Sequence, residues 1–159
     1  MFPINDTESS RYSVIPIMTI SIILINTAIL ITVPPSEFGW SYGFVATVPA
    51  MVFARIGGGL LTAIASMFLH SGFLHLFSNM FALWVFGRRV EDACGTWRFL
   101  LFYLLAGFGS NLVYVLVNSR SNVPVVGASG AVFGVMGAYL ILYPRGRIRT
   151  LVFLFSFIP

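Results

Sequence analysis

Twenty consecutive residues, Val14 to Val33, carry no charged side chain, and a helix of that length covers a hydrocarbon core of roughly 30 Å. Three further runs are similar: Gly72 to Gly87, Phe99 to Val117, and Val125 to Tyr143. A chain with such runs either buries them all in one core or uses lipid as its solvent. Composition decides between these, because 58% of the 159 residues are hydrophobic and 9% charged, against about 25% charged in an ordinary soluble domain. The expected fold is all-α, a polytopic transmembrane helix bundle with four complete spans and a partial fifth. Residues 1–13 form a polar tail ahead of it, and 14–159 form the membrane domain.

The boundaries follow from what interrupts the runs. Pro34 and Pro35 end the first span. The second starts near Gly72, or earlier through Leu60 to Leu69, and stops at Arg88, Arg89, Glu91 and Asp92. Between these two, Ser36 to Ile64 is apolar yet broken by Glu37, Pro49, Arg55 and Gly57 to Gly59. This mixture suits an interfacial or re-entrant segment better than a span. From Ile148 a new apolar run starts and reaches Pro159 after twelve residues, too few to span, so it is expected to begin a fifth helix in a longer protein. A short interfacial tail is the alternative.

All nine basic residues are Arg, and their distribution sets an orientation. With the N-terminus inside, seven lie in inner segments (Arg11; Arg88, Arg89 and Arg98; Arg145, Arg147 and Arg149), and two, Arg55 and Arg120, lie outside. A cytoplasmic N-terminus is expected, with the cell membrane as the expected location. Met1 to Ser13 is too polar, and the run after it too long, for a cleaved secretory signal. The net charge of +4 does not point to nucleic acid, because the Arg residues form no basic helix or stripe. Cys94 is the single cysteine, so no internal disulfide forms.

Two constellations can carry chemistry. Gly127-Ala128-Ser129-Gly130-Ala131 opens the fourth span, with small neighbours that leave the Ser129 hydroxyl uncovered. Backbone N–H groups at that helix start can hold an oxyanion. The same stretch also reads as packing, since Gly130 and Gly134 form a G-x-x-x-G pair; that pair is expected to bring the fourth span against the second. In the second constellation, His75 and Asn79 stand at i and i+4 on one face of the second span. Polar side chains at such depth are costly and face a protein interior or a water cavity, although mutual hydrogen bonding across helices would also satisfy them. His70 and His75 point about 140° apart on a helix, which does not suit a zinc site of the H-E-x-x-H type. None of the five acids lies within a span, which excludes an intramembrane aspartyl pair, and no two halves of the chain are alike.

Phe68-Leu69-His70 through Asn79, then Phe86-Gly87 with Glu91 and Gly95, then Gly127-Ala128-Ser129-Gly130-Ala131 with Phe133-Gly134 resemble the successive signatures of the rhomboid serine proteases. The resemblance covers Leu60 to Pro159. It implies a six-helix bundle with a water-filled site that opens outward. Ser129 matches the nucleophile, and His75 and Asn79 match side-chain donors to the oxyanion, beside the Ser129 N–H. His70 matches a position that shapes the site. Glu91 matches a structural acid that ties down a loop, and Ser36 to Ile64 corresponds to the family's membrane-embedded first loop. The family's general base is a His on its sixth helix, which has no counterpart in these 159 residues.

The resemblance implies an intramembrane serine endopeptidase that cuts transmembrane proteins in the lipid bilayer through a Ser-His dyad, with no cofactor and no metal. The fragment alone is expected to be inactive for want of its base. The alternative is a non-catalytic relative that binds transmembrane helices; a scaffold packed through glycines would leave His75 and Asn79 unexplained.

Overall fold

The computed structural model describes residues 2–6, 15–33, 45–52, 58–146 and 148–151. The expectations for Pro34 and Pro35, for much of Ser36 to Ile64 and for the run after Leu151 fall outside the described residues. In chain order the elements are β1 (Phe2–Asp6), α1 (Ile17–Thr32), α2 (Pro49–Val52), α3 (Gly58–Ala65), a 3-10 turn (Ser66–Phe68), α4 (Phe73–Ala82), a π-helical turn (Leu83–Gly87), α5 (Arg88–Cys94), α6 (Thr96–Val117), α7 (Ser129–Leu142) and β2 (Ile148–Leu151).

Local chemistry sets these limits. Pro16 lacks an N–H and fixes φ, so it suits the position just before a helix, and α1 starts at Ile17. Between α5 and α6 the chain turns at Gly95, whose φ of 87° is costly for any residue with a Cβ. Its N–H bonds to the Glu91 carbonyl at 2.8 Å, closing the end of α5. α6 then runs for 22 residues.

Among the described residues, α6 is the one helix long and apolar enough to cross a bilayer unaided. The pair Leu61–Phe68 and Phe73–Cys94 passes the same test together, but is bent by 94° at its break. An uninterrupted second span starting at Leu60 is therefore wrong: the chain turns sharply between Phe68 and Phe73, and continues beyond Gly87 to Cys94. α1 has 16 residues and α7 has 14, short of the roughly 20 that a spanning helix needs. Four full-length spans are thus not reproduced. In the fourth run, Val125 pairs with Thr47 as an isolated bridge and Gly127 turns, so the helix begins only at Ser129.

Strands were not expected. β1 and β2 pair antiparallel, Phe2 with Leu151 and Asp6 with Ile148, with an irregularity between Pro3 and Asn5. Ile148 to Leu151, where the sequence suggested a fifth helix, is extended, and so is part of the presumed polar tail. β-branched Ile148 and Thr150 favour this conformation, and the neighbouring strand satisfies the backbone groups that a helix would have paired internally.

The core lies where the π turn, α6 and α7 meet. Leu83, Phe99, Tyr103, Ala131, Val135 and Tyr139 are all fully buried. Phe86 meets Tyr139 edge to face, with ring centroids 5.1 Å apart, a favoured aromatic geometry. Gly130 and Gly134 face α6, where a Cβ on either would run into Ser110 and Ala106 respectively. This corrects the expected contact with the second span. Ala106 and Ser110 are themselves four residues apart, so two small-residue ridges meet and the backbones approach closely. On the outside, the large apolar side chains of Leu74, Trp97, Leu105, Val117, Leu140 and Ile141 are exposed.

Candidate active site

Ser129 is the first residue of α7 and is half-buried, so its N–H is one of those a helix start leaves without an intrahelical partner. The turn before it is held from two sides. Gly127 has φ 119°, and its N–H donates to the Ser66 carbonyl at 2.9 Å. On its other side lies the imidazole of His75: a Cβ at Gly127 would come within 2.7 Å of both Cε1 and Nε2. Glycine is needed here twice, for the dihedral and for the ring.

His75 projects from the first turn of α4, half-buried. Its Nδ1 lies 3.0 Å from the Ser71 hydroxyl oxygen, so the ring is gripped at one edge and faces Gly127 with the other. His70 is buried, with its ring centroid 5.0 Å from that of His75 and the planes at 66°. Asn79, one turn further along α4, is buried too. One amide N–H of Asn79 donates to the His75 carbonyl at 3.0 Å, which leaves its second N–H for other work. The structure therefore assembles His70, His75 and the Gly127–Ser129 turn at one end of the bundle, with Asn79 adjacent on the same helix.

Sequence reasoning missed the residues that hold this arrangement. Asn111, in the C-terminal third of α6, donates to the Ala63 carbonyl at 2.6 Å and to Ser66 Oγ at 3.1 Å. Ser66 Oγ lies 2.9 Å from Thr47 Oγ1, and Thr47 pairs its backbone with Val125 in both directions, at 3.2 and 2.8 Å. Asn111, Ser66 and Thr47 are all buried. They link α6, the end of α3 and the segment before α2 to the loop that leads into Ser129. An Asn in an otherwise apolar span was the available signal, since such a group needs a partner.

Glu91 sits at the opposite end of the rod begun by α4 and is fully buried. Its Oε1 accepts the Met18 N–H at 2.9 Å, and its Oε2 accepts the Thr19 N–H and the Thr19 hydroxyl, each at 2.8 Å. These are N–H groups of the first turn of α1, which has no intrahelical acceptors for them. The carboxylate thus caps a helix rather than tying down a loop, and its charge faces the positive end of the helix dipole.

Comparisons with known proteins identify the family. A family model of the Rhomboid domain matches residues 57–159, more than half of the chain. RHOMBOID-like protein 5 of Arabidopsis thaliana is 44% identical over 77 residues, 48% of this chain and 25% of that protein. Rhomboid protein 1, mitochondrial, of Saccharomyces cerevisiae is 34% identical over 97 residues, 58% of this chain and 28% of its own length. Rhomboid protease GluP of Bacillus subtilis is 46% identical over 81 residues, 51% of this chain and 15% of its own length. The matched part of the chain thus spans between 15% and 28% of the length of these relatives. No solved structure gives a significant match. The relatives include proteins named for mitochondria and chloroplasts, so the expected cell-membrane location gains no support.

Proposed function

Because the chain belongs to the rhomboid family of integral membrane proteins, we propose that the protein containing it is a serine endopeptidase that hydrolyses peptide bonds in or beside transmembrane segments of its substrates. The observation that carries this reading is the turn at Gly127, which presses the His75 ring against the residues leading into Ser129 at a helix start. Ser129 attacks the scissile carbonyl. The N–H of Ser129, the His75 ring and the remaining Asn79 N–H receive the charge that develops on the carbonyl oxygen. His70 packs against His75 and shapes the cavity. The peptide C–N bond breaks, the amine leaves with the proton that the base took from Ser129, and water then releases the acyl group. Both histidines of the chain are engaged in this way, so the base that takes the Ser129 proton is assigned to a histidine outside these 159 residues.

Expression of the longer protein with a reporter transmembrane substrate tests the reading. Cleavage and labelling by a serine-directed phosphonate are expected, with both lost in Ser129→Ala. His75→Ala and Asn79→Ala should each slow turnover by about 10- to 1000-fold, the order seen for a lost oxyanion donor. The 159-residue chain alone should neither cleave nor label. Binding of the reporter without cleavage, unaffected by Ser129→Ala, would favour a non-catalytic protein that holds transmembrane helices. Robust cleavage by the short chain that disappears in His75→Ala would make His75 the base.

A further inference from the structure

We propose that Ser71 is a positioning residue that fixes the tautomer of His75, donating its hydroxyl proton to Nδ1 so that the ring's only N–H is on Nε2, the edge that faces the Gly127 turn. The inference deepens the reading above and rests on it for the role of His75, but its core concerns a proton position that can be measured without catalysis. In a neutral imidazole one nitrogen carries hydrogen and the other a lone pair, and the partner of one sets the state of the other.

The ring of His75 has contacts at both ends. Ser71 Oγ lies 3.0 Å from Nδ1, well within hydrogen-bond range. At the far edge, a Cβ on Gly127 would be 2.7 Å from Nε2 but 3.9 Å from Nδ1, so Nε2 is the nitrogen nearer the Gly127–Ser129 turn. Flipping the ring would take Nδ1 away from Ser71, so the orientation is fixed by the same contact.

Two arrangements of the proton are possible at the Ser71 contact. If Nδ1–H donated to Ser71, Nε2 would present a lone pair to the site and repel a developing oxyanion. If Ser71 donates, Nε2–H points to the place where that charge forms, already oriented before the reaction begins. A serine hydroxyl rotates freely to donate. Ser71 is exposed and stands just before the Gly72 N-cap of α4, so it reaches one turn ahead to His75 without a place in the core.

The chain contains two histidines, which makes nitrogen NMR of the histidine-labelled protein in detergent at pH 8 a direct test, with His75→Gln assigning the His75 signals by their disappearance. The wild-type chain should show His75 with a bare Nδ1 and a protonated Nε2. Ser71→Ala should mix the tautomers and move both signals toward their average, and Ser71→Thr, which keeps the hydroxyl, should restore the wild-type pattern. In the longer, active protein Ser71→Ala should lower kcat by about tenfold, the low end for loss of an orienting partner, with KM unchanged, because the contact acts in the transition state. A protonated Nδ1 in the wild type, or a Ser71→Ala spectrum identical to wild type, overturns the assignment. So does a shifted tautomer with no change in kcat. If instead Ser129→Ala proves silent in the longer protein, the protease reading fails while the measured tautomer stands.

Discussion

Replacing Glu91 should release the start of α1 without disturbing the candidate site at the other end of the rod. The carboxylate accepts three hydrogen bonds, from two backbone N–H groups and one hydroxyl, while fully buried. In Glu91→Ala all three donors lose their acceptor. A buried donor left unsatisfied costs about 1–3 kcal/mol, and water entering the vacated space recovers part of it, so a loss of about 4 kcal/mol is expected. Glu91→Gln keeps one acceptor but turns an amide N–H toward the helix start and removes the charge from the dipole, for a loss of about 2 kcal/mol. Unfolding can be followed in mixed detergent micelles through the fluorescence of the three tryptophans, with the order of stability wild type, then Gln, then Ala. Hydrogen exchange gives the local readout: the Met18 and Thr19 amides should exchange faster in both variants, more so in Ala. If Glu91→Ala stays within about 1 kcal/mol of wild type, or those two amides keep their protection, the capping argument is wrong.

Asn111→Leu should break the network that holds Ser66 and the Gly127 loop; because it removes the short donor to the Ala63 carbonyl and one of the partners of the Ser66 hydroxyl, a loss of about 1–2 kcal/mol in the same unfolding assay is expected, and an unchanged midpoint would refute the network's role. Gly134→Val should drive α7 away from Ala106 and cost about 1–3 kcal/mol through overpacking, whereas the same substitution at Gly137, where a Cβ meets nothing within 4 Å, should be nearly silent. Equal effects at the two positions would contradict the described packing. For topology, single cysteines at Asn122 and Arg147 in a Cys94→Ala background should react with an impermeant reagent from outside at Asn122 alone, and the reverse pattern would invert the orientation.

The candidate residues could be named from the sequence because their spacing carries meaning: His75 and Asn79 share a helical face at any helix position, and small neighbours leave room beside Ser129. What they touch was not legible. The small residues at Gly130 and Gly134 announced a close approach, but a G-x-x-x-G ridge fits any smooth neighbour, and only the fold decides that α6 is the partner. Glu91 and Thr19 are 72 residues apart, a separation at which no local pattern couples them. The missed bend between Phe68 and Phe73 has a similar origin, because hydropathy sums over a segment and does not register direction. Asn111 was the exception, a polar group in an apolar run whose need for a partner could have been read in advance.

The π-helical turn at Leu83–Gly87 works as a phase shifter. A regular helix advances about 100° per residue, so the twelve steps from Asn79 to Glu91 would leave their side chains about 120° apart around the rod. One wide turn holds roughly an extra residue and sets the inner half back by about 100°, which brings the two onto nearly the same side. The site-bearing end and the helix-capping end therefore look into the same interior, although the plain periodicity of the sequence would have aimed one of them at lipid. Deleting a single residue between Leu83 and Gly87 would make the rod more regular and yet rotate Glu91 away from α1, so here uniformity of the helix and integrity of the bundle oppose each other.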